Sequence, residues 1–235
     1  MRTDHRRAIV RSTPITDNLI QVTRLRLVNA YLIREDDGFT LVDTLIARSG
    51  SGIIAAAKAA GAPIHRIALT HGHSDHVGSL DELVAALGDD VEVAMSDIDA
   101  RIHAGEKVVE GKLPGGWPTL KTVPSVRLNH GDRVGSLEVV ASPGHTPGHI
   151  AFLDTRDRSL IAGDVFSSLG GLAVSSRINW RFPPPALATY DKPRDLQSAR
   201  DLRALDPARL VVGHGPALSA PAAAMDEAIA AAARP

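Results

Sequence analysis

The sequence predicts an α/β fold, and three observations point there. Short β-rich runs alternate with helix-spaced segments over the first ninety residues. A second series of β signals runs from Ser125 to Phe166, and further helical segments follow it. Histidines and aspartates with glycine neighbours fall at the ends of expected strands, where α/β folds carry their chemistry on loops.

In chain order, residues 18–24, 28–34 and 39–45 read as strands, with Glu35-Asp36-Asp37-Gly38 as the hairpin loop between the last two. Residues 53–60 form an Ala-rich helix closed by Gly61 and Pro63. A short buried strand follows over 66–70, then a helix over 80–87, a strand over 91–95 and a helix from Ser96 to about His103. Asn129-His130-Gly131-Asp132 marks a turn, and 137–141, 149–154 and 159–162 are strands. Residues 194–205 read as helix, 209–212 as strand, and the Ala-rich tail from Ala222 as a last helix. Residues 104–123 and 167–190, rich in Gly and Pro, break this rhythm; loops that long inside a domain are usually lids or binding loops. With no linker and no short-period repeat, one domain over 1–235 is expected.

Composition narrows the chemistry. The 235 residues include ten histidines and no cysteine, and 26 basic residues face 27 acidic ones for a net charge of −1. Without cysteine there is no disulfide scaffold, thiolate zinc site, iron–sulfur cluster or cysteine nucleophile. The neutral balance speaks against a nucleic-acid partner. No apolar run reaches the ~18–20 residues of a membrane span, and the N-terminus lacks the apolar core of a secretory signal, so a cytoplasmic protein acting on a small molecule is expected. A metal bound by this chain must be held by imidazole and carboxylate.

The densest feature is Thr70-His71-Gly72-His73-Ser74-Asp75-His76-Val77-Gly78. Four ligand-type side chains fall within six residues, after a strand and before a helix. Extended backbone puts His71 and His73 on one side, and a tightening turn swings Asp75 and His76 to a neighbouring position. Four ligands split by a turn suit two metal ions better than one. Further candidates recur at later strand ends: His145 in Pro143-Gly144-His145-Thr146-Pro147-Gly148-His149, Asp164 in Ala162-Gly163-Asp164, and His214 in Gly213-His214-Gly215. Glycine beside each lets backbone pass close to a metal.

These motifs, in this order, resemble the metallo-β-lactamase fold hydrolases over roughly residues 18–215. The resemblance implies an αββα sandwich of two mixed sheets with helices outside and metals at one edge. It implies a first metal on His71, His73 and His145, a second on Asp75, His76 and His214, and Asp164 bridging the two. Asp43 matches the family's strand-ending Asp near the site. Two of the three true β-lactamase classes use a cysteine ligand, which this chain lacks, and the third lacks the bridging Asp. The His/Asp set looks instead like glyoxalase II, acyl-homoserine lactonases and related esterases. Only about twenty residues follow His214, too few for glyoxalase II's helical domain, and Ser167 stands where those lactonases place a tyrosine.

The chemistry expected is hydrolysis. Two divalent cations, zinc first with iron or manganese as alternatives, would acidify a shared water into a hydroxide nucleophile. The cations would also stabilise the oxyanion, and Asp75 would pass a proton to the leaving group. Five of the eight aromatic residues lie in or beside the irregular stretches: Trp117, Phe166, Trp180, Phe182 and Tyr190. They suggest an apolar wall over the site, or equally a small loop core or a homodimer contact. Arg177 and Arg181 flank Trp180 as candidate partners for a carboxylate or phosphate, or as solvated charges. An apolar ester, lactone or thioester is favoured. A mononuclear iron oxygenase of the persulfide dioxygenase kind and a phosphodiesterase or nuclease are the alternatives. His5, His65, His103 and His130 read as incidental, and His149 as either a support for the site or a core histidine.

Overall fold

The computed structural model describes residues 10–88 and 90–234; His5 lies outside them. The first half builds a seven-stranded sheet in sequence order: β1 (Val10–Pro14), β2 (Leu19–Arg24), β3 (Val28–Glu35), β4 (Gly38–Val42), β5 (Ile64–Ala68), β6 (Glu92–Ser96) and β7 (Val126–Leu128). Strands β1 to β4 pair antiparallel through tight turns, and β4 to β7 pair parallel. Those parallel strands need crossovers, which α1 (Gly50–Ala59), α2 (Leu80–Leu87) and α3 (Asp97–His103) supply. The second half builds a six-stranded mixed sheet from β8 (Arg133–Val134), β9 (Leu137–Ala141), β10 (Ile150–Asp154), β11 (Ser159–Ile161), β14 (Arg209–Val211) and β15 (Leu218–Ser219). A two-stranded ribbon, β12 (Phe166–Ser167) and β13 (Ala173–Val174), and helices α4 (Pro184–Ala188), α5 (Lys192–Ala204) and α6 (Ala222–Ala232) complete it.

Alternation along the central strands shows the layering. On β3, Ala30 and Leu32 face a core shared with Ile53 and Ala57 of α1 and Leu80 and Leu83 of α2. Tyr31 and Ile33 point the other way, into a second core with Val139, Phe152 and Val211 of the opposite sheet. On β10, Ile150 and Phe152 enter that middle core, while Ala151 and Leu153 meet Ala199 and Leu202 of α5 and Met225 of α6. The period-two pattern thus buries both faces of each sheet and gives two mixed sheets between helical layers, the expected αββα sandwich.

Three differences from the sequence reading bear on the site. The strand expected over 39–45 ends at Val42, because Asp43 and Leu45 adopt left-handed backbone (φ 63° and 60°). The strand expected over 66–70 ends at Ala68, freeing Thr70 and His71 for the loop. Finally β1, which carries no apolar alternation and is mostly exposed, pairs along its whole length with β2 as an unforeseen edge strand.

Candidate metal centre

Loops leaving β4, β5, β9, β11 and β14 converge at one edge of the two sheets, bound to each other by main-chain hydrogen bonds. Asp43 N–H donates to Ala68 O (3.0 Å), Ile150 N–H to Thr70 O (2.9 Å) and Gly213 N–H to Gly163 O (2.9 Å). Across the sandwich, the buried Asn29 side chain donates to the carbonyls of Val212 (3.0 Å) and Gly215 (2.7 Å), and the Tyr31 hydroxyl donates to Val212 O (2.7 Å). The loop bearing His214 is therefore fixed from both sheets.

Seven side chains meet there. His71, His73 and His145 form one group of possible ligands, Asp75, His76 and His214 another, and His71, His76 and Asp164 a third that overlaps both. The Asp164 carboxylate lies between the groups: Oδ2 is 3.1 Å from His214 Nε2 and 3.5 Å from His145 Nε2, and Oδ1 is 3.5 Å from His76 Nε2. Asp75 Oδ2 reaches His214 Nε2 at 3.4 Å. His71 Nε2, His76 Nε2 and Asp164 Oδ1 are buried without a hydrogen-bond partner among the described residues. Buried polar atoms left without hydrogen-bond partners are costly, and a cation between them satisfies all three, so the donor set fits divalent metal. Gly213 permits the approach: a Cβ there would lie 2.0 Å from Asp164 Oδ1.

Each imidazole is turned by a hydrogen bond on its far side. Thr70 Oγ1 donates to Asp43 Oδ2 (2.8 Å) and so accepts from His71 Nδ1 (3.0 Å), leaving His71 Nε2 free. Asp43 also takes His76 Nδ1–H (2.8 Å), His214 Nδ1–H donates to Leu27 O (2.9 Å), and His145 Nδ1 lies 3.0 Å from the Thr189 hydroxyl. His73 is the exception, with Nδ1 turned inward, 3.1 Å from His145 Nε2, and Nε2 facing Pro114 O at 3.3 Å. His149, fully inside, accepts Asp164 N–H at Nε2 (3.1 Å) and supports the backbone of that aspartate.

The two groups differ electrostatically. Burial holds His71 and His145 well below the usual imidazole range and His73 at about 4, so their rings are neutral donors. His76 and His214 are also buried, yet the carboxylates around them together outweigh that burial, Asp164 and Asp75 at both rings and Asp43 as well at His76; His76 is held well up and His214 at about 10. Against its own partial burial, the His76 ring and the bond from His214 keep the Asp75 carboxyl down at about 2.

The aromatic and arginine candidates separate. Phe182 lies 5.1 Å from the His214 ring and Trp117 5.3 Å from His73. Phe166 is not a wall residue: it is fully buried on β12 in the core beneath α5 and α6. Arg177 does not face the site either, because its guanidinium is bound to the carbonyls of Ala231 and Arg234 at the end of α6. Arg181 holds Gly170 O (3.2 Å), Trp180 is 86% exposed, and the Tyr190 hydroxyl donates to Glu110 O (3.1 Å). Residues unforeseen in the sequence also shape the site. Leu25 and Leu27, 63% and 41% exposed, sit on the hairpin that orients His214. Thr189 steers His145, and Asp99 binds two of the loops together.

A two-sheet sandwich with imidazole and carboxylate loops gathered at one edge defines a metal-binding αββα class. A family model described as the metallo-beta-lactamase superfamily matches residues 23–214, and the chain belongs to that superfamily. It is 42% identical over 208 residues to the uncharacterized protein YobT of Bacillus subtilis (strain 168), covering 86% of this chain and 89% of that one. It is 28% identical to the probable metallo-hydrolase YflN of the same organism, over 81% of each chain. To a hydroxyacylglutathione hydrolase of Rhodopseudomonas palustris (strain BisB5) it is 30% identical over 60% of this chain and 48% of the relative. Among solved structures, TTHA1623 in a di-iron-bound form aligns with a TM-score of 0.62 at 28% identity, covering 84% of this chain and 92% of that one.

Proposed function

We propose that this chain is a metal-dependent hydrolase that cleaves an ester, lactone or thioester of an apolar small molecule. His71, His73 and His145 would hold one divalent cation and Asp75, His76 and His214 a second, with Asp164 shared between them; zinc is the first choice, with iron or manganese as alternatives. The observation that carries the reading is the Asp164 carboxylate, set between two groups of imidazoles, with His71 Nε2, His76 Nε2 and its own Oδ1 buried and unpartnered among the described residues. Bound there, a metal pair would bring deprotonation of a water into the neutral range and polarise a scissile carbonyl.

The protein's own groups do the rest. Asp164 is buried and committed to the ligand rings, whereas the Asp75 side chain is a third exposed and ionised. Asp75 is therefore the carboxylate placed to take a proton and deliver it to the leaving oxygen or sulfur. Phe182, its ring 5.1 Å from that of His214, supplies apolar surface beside the site, which favours an apolar acyl or lactone group over a highly charged substrate. The hydroxyacylglutathione hydrolase relatives support a thioester within that class, although this chain spans about half their length.

Metal quantitation on purified protein, then a panel of lactone, thioester, ester and phosphodiester substrates, tests the reading. Two metal ions per chain and carbonyl-ester or thioester turnover are expected, and Asp164→Ala should lose at least one ion and nearly all turnover. Full activity in that variant overturns the assignment. Turnover of bis-p-nitrophenyl phosphate alone points to a phosphodiesterase, and one iron per chain with oxygen consumption to an oxygenase.

A further inference from the structure

Pro114-Gly115-Gly116-Trp117-Pro118, from the middle of the first irregular stretch, lies across the loop that carries His71, His73 and Asp75. Three of its carbonyls face that loop or a residue tied to it. Ser74 N–H donates to Gly116 O (2.8 Å), and His73 Nε2 lies 3.3 Å from Pro114 O. At the end of α3, the His103 ring sits between Pro118 O (3.1 Å) and Gly72 O (3.0 Å), with its single N–H to donate to one of them. The Trp117 Nε1–H donates to Pro114 O (3.0 Å), and the indole meets the His73 ring edge-on at 77°. No side chain fits between strap and ring. Gly115 has φ +77°, and a Cβ there would lie 2.4 to 2.9 Å from three atoms of the His73 imidazole.

We infer that residues 114–118 are a positioning strap for His73, holding its Nδ1 toward His145 and the first metal position. His73 needs this more than its neighbours. A half-turn of its ring would put Cδ2 where Nδ1 now points, removing the ligand atom, and the same half-turn would withdraw Nε2–H from Pro114 O. The Pro114 carbonyl thus selects the orientation that binds metal, and Trp117 holds that carbonyl in place. This role rests on the metal reading above and gives the stretch a task other than contacting substrate.

Two variants test it, Trp117→Phe, which keeps a ring but frees Pro114 O, and Gly115→Ala, which puts a methyl group against His73. Zinc affinity of each is measured by competition with a chromophoric chelator, alongside the absorption spectrum of the cobalt(II) form. Affinity at one of the two positions is expected to fall about 10- to 100-fold with the other little changed, the scale typical of losing a group that orients a ligand. The cobalt spectrum should shift, while the metal-free melting temperature of Trp117→Phe stays at the wild-type value. If Gly115→Ala does not fold, Trp117→Phe carries the test. Wild-type metal affinities and spectrum in the variants, or a change confined to KM for apolar substrates, overturn the strap alone. A wild-type protein that takes up no divalent metal overturns the metal reading and the strap together.

Discussion

Asp43 belongs to neither group of possible ligands, yet it fixes the state of one histidine in each. One oxygen takes Thr70 N–H at 2.8 Å, and the other takes the Thr70 hydroxyl and His76 Nδ1–H, each at 2.8 Å. Through Thr70 the same carboxylate settles which nitrogen of His71 carries the proton. Its left-handed backbone (φ 63°) turns the chain out of β4 and aims the side chain inward. Replacing Asp43 by Asn offers one acceptor oxygen and an NH2 group that cannot take the His76 proton. Asp43→Asn should therefore bind the metal on His76 about 10- to 100-fold more weakly, read by calorimetric titration of the metal-free protein. Unchanged affinity there would mean that packing alone orients His76.

At the level of elements, α3 is short, only Asp97–His103, but it carries the fully buried Asp99 that staples two metal-bearing loops. Its carboxylate accepts Gly72 N–H (3.0 Å) from one loop and the Thr146 hydroxyl (2.7 Å) and Gly148 N–H (2.8 Å) from the other. Asp99→Ala strands three buried donors at about 1–3 kcal/mol each, so denaturant unfolding should show a loss on the order of 3 kcal/mol or more. A loss under about 1 kcal/mol would show that the loops are held elsewhere. The ligand candidates were legible because imidazole and carboxylate clustered at strand ends have few other uses, and the inner strands because they are apolar on both faces. Asp99 was not legible, since an aspartate in a first helical turn reads equally well as a partner for the helix dipole. Nor were the tasks of the irregular stretches: there the chain works through carbonyls, Pro114 O to His73 and Gly170 O to Arg181, and a carbonyl leaves no mark on residue type. Aromatic content suggested a wall, whereas Phe166 went to the core beneath α5 and α6.

Across the whole molecule, these buried ionisable groups set how stability depends on pH. Burial keeps His71 and His145 well below the usual range, His73 at about 4 and His149 at about 3, so the fold holds them neutral. The unfolded chain protonates them below about 6.5, so their contribution is present above that pH and lost as the pH falls. Asp99, pushed by burial to about 6, and Asp195, pushed well up by burial at the start of α5, act the other way, since the fold retains their protons. Four imidazoles against two carboxyls still leave a net loss on acidification below 6.5, at about 1.4 kcal/mol per pH unit for each uncompensated proton. On the alkaline side, the carboxylates around them together keep His76 and His214 protonated despite their burial, with His214 at about 10. Their stabilisation is complete below about 6.5 and is lost as the pH rises toward their folded values. In the presence of chelator the unfolding midpoint should therefore pass through a maximum near neutral pH and decline on both sides. Saturating zinc replaces the protons on His76 and His214, so it should flatten the alkaline decline and steepen the acid one, because metal binding requires deprotonated ligands. Denaturant unfolding from pH 5 to 9, with chelator and with zinc, reads both limbs. A chelated protein whose midpoint climbs steadily to pH 9 would show that His76 and His214 are not held charged by these carboxylates.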